Sequence, residues 1–328
     1  MRKLLLTSTA LVAATSMINY ASADVSVSGG FEWGYTSQSS EIAASNGDAY
    51  RVDNEVVISF TNKTDTGLTI TGRYDVDGDA ASVDESSITI AGGFGTIRLG
   101  QDDGAADAFG VDEGDLVAED ASYAAGSSSI LANASGSGNN DNNKIAYFTP
   151  AMGGLKAGIS FEDTGANAAA NTDRTEYGAS YTMSMGGASV VAEYNSGSAN
   201  NATAGQLATT HSNYGVTVTQ GALSVLVSHG ANEDNTSDSE ANGMAVKYDM
   251  GNGMYVAGMV VDSEDDKQSN AANGSEKYSS AVAEVGYTVA PGLTAKVTHI
   301  DYDYKRGNNT ASTDDNGSAT RFTLTASF

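Results

Sequence analysis

Apolar and polar residues alternate one for one in sixteen separate stretches of this chain, all of them after residue 24. Alternation at period two marks a strand with one apolar and one polar face. The stretches span 25–36, 50–62, 68–77, 83–91, 95–101, 143–149, 155–163, 174–184, 188–196, 211–220, 222–230, 241–250, 254–263, 277–289, 293–304 and 317–328. In 68–77, Leu68, Ile70, Gly72, Tyr74 and Val76 share one face, and Thr69, Thr71, Arg73 and Asp75 share the other. Leu155, Ala157, Ile159 and Phe161 likewise oppose Lys156, Gly158, Ser160 and Glu162. The last stretch places Phe328, Ala326, Leu324 and Phe322 against Ser327, Thr325, Thr323 and Arg321. No helical period of comparable strength follows residue 24.

The connections set the architecture. Short links at 63–67, 92–95, 150–154, 185–187, 221, 251–253 and 290–292 alternate with long ones at 37–49, 78–82, 102–142, 164–173, 197–210, 231–240, 264–276 and 305–316. A β-sandwich in water has no reason to keep that rhythm. An even number of strands with short turns at one end and long loops at the other predicts an all-β fold, a 16-stranded antiparallel transmembrane β-barrel with short periplasmic turns and long outer loops. Two prolines in 328 residues suit strands paired along their whole length. Trp33, Tyr35, Phe60, Tyr74, Tyr147, Phe161, Tyr177, Tyr181, Tyr194, Tyr214, Tyr248, Tyr255, Tyr278, Tyr287 and Phe328 are expected mostly on the outward face near strand ends, as interfacial girdles require.

Composition narrows the picture. A mean hydropathy of −0.25 fits a barrel, because its lumen face is polar. Met1-Arg2-Lys3, a mostly apolar run over 4–18 and Ala21-Ser22-Ala23 predict a cleaved signal peptide over 1–23, leaving 24–328 as the barrel. The absence of cysteine excludes disulfides and thiolate metal sites. The net charge of −25 argues against a nucleic-acid partner and for attraction of cations.

The chain resembles the general diffusion porins of Gram-negative bacteria, of the alphaproteobacterial type. Asp24-Val25-Ser26-Val27-Ser28-Gly29-Gly30-Phe31 is similar to the family's first mature strand. Ile97-Arg98-Leu99-Gly100-Gln101-Asp102 is similar to the strand before its third loop. The closing strand resembles the outer-membrane insertion signal, with Phe328 as its terminal aromatic. The resemblance implies an inward-folded third loop over 102–142 that narrows the pore. It also implies a homotrimer and passage of small hydrophilic solutes and ions. Further partners implied are outer-membrane lipid and lipopolysaccharide, and the barrel-assembly machinery during insertion.

The charges in that loop are one-sided. It holds Asp102, Asp103, Asp107, Asp112, Glu113, Asp115, Glu119 and Asp120, with no Lys or Arg between Arg98 and Lys144. Arg51, Arg73 and Arg98 fall on the inward parity of three nearby strands. In the resembled family such an arginine wall faces the loop acids across the constriction and sets up a transverse field that orders passing solutes and filters ions. The excess of acids over bases predicts a weak cation preference. The competing reading is local pairing of the arginines with Asp53, Glu55, Asp75 and Glu85. Lys156, Arg174, Lys247, Lys296 and Arg321 also take inward parity, spread around the wall.

Other chemistry is poorly supported. Asp75, Asp77 and Asp79 begin like a calcium loop, but Ala80 and Ser86 stand at the positions that need Gly and Glu. They are weak Ca²⁺ candidates, and no firm cofactor is expected. His211, His229 and His299 lack ligand spacing, and no catalytic constellation stands out. Two rivals use the same residues: a substrate-selective barrel for a sugar or carboxylate, and an acidic adhesive barrel with a plugged lumen.

Overall fold

The computed structural model describes residues 23–42, 45–78, 82–117, 142–163, 173–200, 208–234, 237–266, 275–305 and 314–328. The predicted signal peptide lies outside these residues except for Ala23. Sixteen strands form one closed antiparallel barrel. They are β1 (Asp24–Ser40), β2 (Gly47–Lys63), β3 (Thr69–Asp77), β4 (Ser82–Gly92), β5 (Gly95–Gln101), β6 (Asn143–Phe148), β7 (Leu155–Glu162), β8 (Arg174–Met185), β9 (Ala188–Ala199), β10 (Thr209–Gln220), β11 (Leu223–Glu233), β12 (Asp238–Gly251), β13 (Met254–Asp265), β14 (Glu276–Ala290), β15 (Leu293–Lys305) and β16 (Asp315–Ser327). Each pairs with its neighbours in sequence, and β16 closes on β1 with Tyr35 opposite Phe322.

Every predicted stretch is one of these strands, but the strands reach further at the long-loop end. β1 continues to Ser40, β2 begins at Gly47, β11 extends to Glu233 and β12 starts at Asp238. There both faces carry polar side chains, so the alternation disappears. The ladder continues because backbone groups still need partners whatever the side chains are.

The barrel turns the usual burial inside out. Val27, Ile145, Phe161, Val227, Tyr248 and Val285 are exposed on the outward face. The buried apolar cluster is instead inside the lumen, on β11 to β16. Leu226, Ala245, Met259, Val282 and Ile300 pack there with Val111, Leu116 and Val117 of the long loop. Two of the expected girdle aromatics belong inside as well. Tyr255 and Tyr278 have inward parity; Tyr255 donates to Glu284 at 2.8 Å and Tyr278 stacks on Tyr302 at 6.5 Å between centroids. A tyrosine with a carboxylate partner satisfies its hydroxyl without reaching a headgroup.

The short turns follow from residue type. Between β8 and β9, Gly186 and Gly187 take φ of 61° and 88°. A two-residue hairpin with positive φ at both central positions matches the strand twist, and glycine adopts it at no steric cost.

Candidate functional site

The longest connection leaves β5 at Gln101 and returns at Asn143 of β6. Its described part, 102–117, lies inside the barrel and crosses the inner faces of β7 to β12. Two single 3₁₀ turns, Asp107–Phe109 and Glu113–Asp115, shape it. In the second, the Gly114 N–H donates to the Asp112 carboxylate at 2.8 Å, and the Asp112 N–H donates to Asp115 at 3.3 Å. This reciprocal cap lets two loop acids satisfy backbone donors instead of requiring cations.

The wall holds the loop by its backbone. The Ala105 N–H donates to Ser160 Oγ at 2.9 Å, and the Ala106 N–H to Glu176 Oε2 at 3.4 Å. Asn195 Nδ2 donates to the Phe109 carbonyl at 3.1 Å. Asn213 pairs with Val111 on both sides: its Oδ1 accepts the Val111 N–H at 3.1 Å, and its Nδ2 donates to the Val111 carbonyl at 3.0 Å. Ser228 Oγ donates to the Glu113 carboxylate. Both asparagines are fully buried.

Several inward positions between these anchors carry no side chain. Inward positions Gly158 on β7, Gly178 on β8, Gly215 on β10 and Gly243 on β12 lie under Phe109, Phe109, Val111 and Glu113 in turn. A Cβ on Gly178 would stand 2.7–3.0 Å from three Phe109 atoms, and one on Gly215 would stand 2.8 Å from both Val111 methyls. Alternate loop residues therefore rest on a track of bare backbone, which lets this described part of the loop press close to the wall.

This docking was not read from the sequence. Gly158, Gly178, Gly215, Gly243, Asn195, Asn213, Ser160 and Ser228 look like ordinary lumen-face residues there. The available signal was the recurrence of inward-parity glycines on all six strands β7 to β12, at Gly158, Gly178, Gly197, Gly215, Gly230 and Gly243, four of which lie under the loop. Glycine weakens a strand unless another backbone or a ligand approaches closely.

Arg51 and Arg73 stand on the arc across from this wall, and Arg98 on β5 stands beside the loop's root. Arg51 donates to Asp53 two residues along β2. Arg73 reaches Glu55 at 4.0 Å, Asp75 at 2.5 Å, and Glu85. Arg98 donates to Asp102 at 2.6 Å and to the Asp103 carbonyl at 3.3 Å, and its guanidinium lies 5.3 Å from the Phe148 ring centre. Local wall pairing thus describes Arg51 and Arg73, while Arg98 holds the root of the loop. Of the loop acids, Asp102 joins this arginine wall and also accepts from Ser87 at 2.6 Å. Glu113 is on the far wall with Ser228, and Asp112 and Asp115 cap each other's turn. Glu119 and Asp120 lie outside the described residues.

Burial pushes the carboxyls of Asp103, Asp107, Glu113 and Asp115 above the ordinary carboxylate range. For Asp103 the neighbouring Asp107 adds to the shift, and for Asp115 the neighbouring Asp112 does. Desolvation is the leading cause in all four, because partial removal from water penalises the charged form.

Of the calcium candidates, Asp75 is buried against Arg73, Asp77 stands on the same inner face and Asp79 lies outside the described residues. Carboxylate oxygens of Glu85, Asp102 and Asp103 gather within 4.8 Å of one another, faced by Arg73 and Arg98. Phe328 bridges the barrel seam: its N–H donates to the Gly29 carbonyl at 3.0 Å, and its ring meets Phe31 edge-on at 6.2 Å.

Comparison with known proteins agrees with the barrel. A family model described as Gram-negative porin matches residues 7–325. The trimer form of in-vitro folded OmpT, an outer membrane protein of Vibrio cholerae, superposes with a TM-score of 0.69 at 11% identity, covering 94% of this chain and 100% of that one. An anion-selective porin from Comamonas acidovorans superposes with 0.64 at 14% identity, covering 93% of this chain and 100% of that one. Salmonella typhi OmpF in complex with daunomycin gives 0.67 at 14% identity, covering 94% of this chain and 98% of that one. No curated protein matches the chain.

Proposed function

The chain belongs to the Gram-negative porin family and is a multi-pass β-barrel of the outer membrane, and from that premise we propose that its lumen is a water-filled channel for passive diffusion of small hydrophilic solutes and ions. The observation that carries this reading is the course of the loop. The described segment, 102–117, is docked on one inner wall, across from Arg51 and Arg73, and this supports a passage between them. Solutes are sorted by size at that gap and by its charge. Asp103, Asp107, Asp112 and Asp115 retain solvent contact while most lumen cations are paired, so the filter leans toward cations.

The opening strand and the Ile97–Asp102 segment favour the alphaproteobacterial type within the family. The assembly proposed is a homotrimer, supported by likeness to the trimer form of Vibrio cholerae OmpT. Lipopolysaccharide and outer-membrane lipid cover the remaining outward wall. The barrel-assembly machinery is the proposed reader of the strand that ends in Phe328.

The test is single-channel recording of the purified protein in a planar bilayer under a KCl gradient. Large stepwise openings with a cation-leaning reversal potential are expected. Replacing Arg98 with Gln is expected to move that potential further toward cations. Bilayers that stay closed over correctly folded protein would overturn the reading in favour of a plugged barrel.

A further inference from the structure

We propose that the lumen contains, beneath the inward loop at its short-turn end, a subsite for a small organic carboxylate with an aromatic or apolar body. The site is a cavity of about 450 Å³ lined by Arg98, Lys156, Ala108, Phe109, Phe148 and Pro150 among others. That volume is within the range of small-molecule pockets, about 300–1,000 Å³. No aspartate or glutamate lines it. In a chain of net charge −25, a cavity with two cations and no acid is an exception.

Lys156 is the informative member. On the inner face, Arg51, Arg73, Arg98 and Arg174 each meet a carboxylate. Lys247 lies 4.4 Å from the Tyr255 ring centre. Lys156 is exposed, takes inward parity opposite Ser180, and has no hydrogen-bond or ion-pair partner among the described residues. An unpaired ammonium facing a concave, partly apolar site attracts an anion more strongly than the same charge in open water.

The rest of the lining gives the body of the ligand a place. Phe109 and Phe148 stand 6.2 Å apart between centroids at 47°, forming two walls of an aromatic corner. Arg98 covers the Phe148 face while its Nη1 stays on Asp102, so its charge is held in place. A flat organic acid can lay its ring against the corner and present its carboxylate to Lys156. A neutral analogue keeps the ring contact and loses the charge. A bare inorganic anion keeps the charge and loses the ring. The subsite therefore recognises the combination and adds a saturable step to passage that is otherwise diffusive.

This inference rests on an open lumen, and the experiment separates the two ideas. Conductance in KCl alone reports whether the channel is open. Benzoate added at the short-turn side is expected to reduce or flicker that current with saturating dose dependence, while benzamide at the same concentrations leaves it unchanged. Lys156→Gln is expected to weaken the benzoate effect by up to about fivefold, the upper end of a solvent-accessible ion pair. Lys156→Arg should largely retain it. The same comparison can be made without current, by ¹⁹F line broadening of 4-fluorobenzoate with the folded protein in micelles, native against Lys156→Gln. Equal action of benzoate and benzamide, or equal 4-fluorobenzoate broadening by native and Lys156→Gln protein, would overturn the proposal.

Discussion

Replacing Asn213 with Ala removes the clamp on Val111 and leaves the barrel intact. The side chain is fully buried, and its amide satisfies both the N–H and the carbonyl of Val111, at 3.1 and 3.0 Å. It also accepts from Asn195 at 3.0 Å, so the neighbouring anchor loosens with it. Val111 is itself 1% exposed, so truncation strands two backbone groups where water enters poorly. Each stranded group costs about 1–3 kcal/mol. Partial hydration from the lumen keeps the sum near the lower end, about 2–3 kcal/mol. At about 1.4 kcal/mol per tenfold, the undocked loop becomes roughly thirty to a hundred and forty times more populated. The strand ladder of β10 is made by backbone atoms and keeps its pairing with β9 and β11. The expected record is therefore a channel of normal thermal stability with excess open-state noise and partial closures. Limited proteolysis of the membrane-embedded protein should cut the loop faster. Asn213→Asp, which keeps the acceptor and loses the donor, should fall between the two. Native-like noise and native-like protease resistance in Asn213→Ala would refute the idea that this amide holds the loop.

Three further outcomes follow from the same geometry. Gly215→Val should shift the loop into the passage, since even a Cβ there stands 2.8 Å from Val111 and 2.7 Å from the Val227 carbonyl; overpacking of this kind costs about 1–3 kcal/mol, and lower single-channel conductance is the readout. Asp103, Asp107, Glu113 and Asp115 are all shifted upward by burial. Because a raised carboxyl favours the docked state most fully below its ordinary pKa and loses that contribution as pH rises through the raised value, docking should tighten as pH falls from neutral into the acid range. Cation preference should decline over the same interval, and a reversal potential that stays flat with pH, or slopes the other way, would refute this. Removing Phe328 should impair closure of the β1–β16 seam, because its backbone pairs with Gly29 and its ring with Phe31; the fraction of heat-modifiable barrel on a gel measures this.

The alternation of side chains determined the class of fold by itself. A strand that must meet lipid on one face and water on the other shows its parity in every second residue, and Leu155 to Glu162 displays it as plainly in sequence as in space. The same parity placed Arg51, Arg73, Arg98 and Lys156 on the inner face. It failed where both faces are polar, at the outer ends of β1, β2, β11 and β12, and it misplaced Tyr255 and Tyr278, whose hydroxyl and ring find partners inside. The site was less legible than the wall. The acids of the 102–142 loop were visible, but their destinations were not. Only the closed barrel decided that Glu113 rests by Ser228, that Asp112 and Asp115 cap one turn, and that Phe109, Val111 and Glu113 lie over glycines from four different strands. Period-two parity is a property of one strand and its two faces. The docking of a loop depends on which inward residues of separate strands become neighbours, and closure of the sheet sets that.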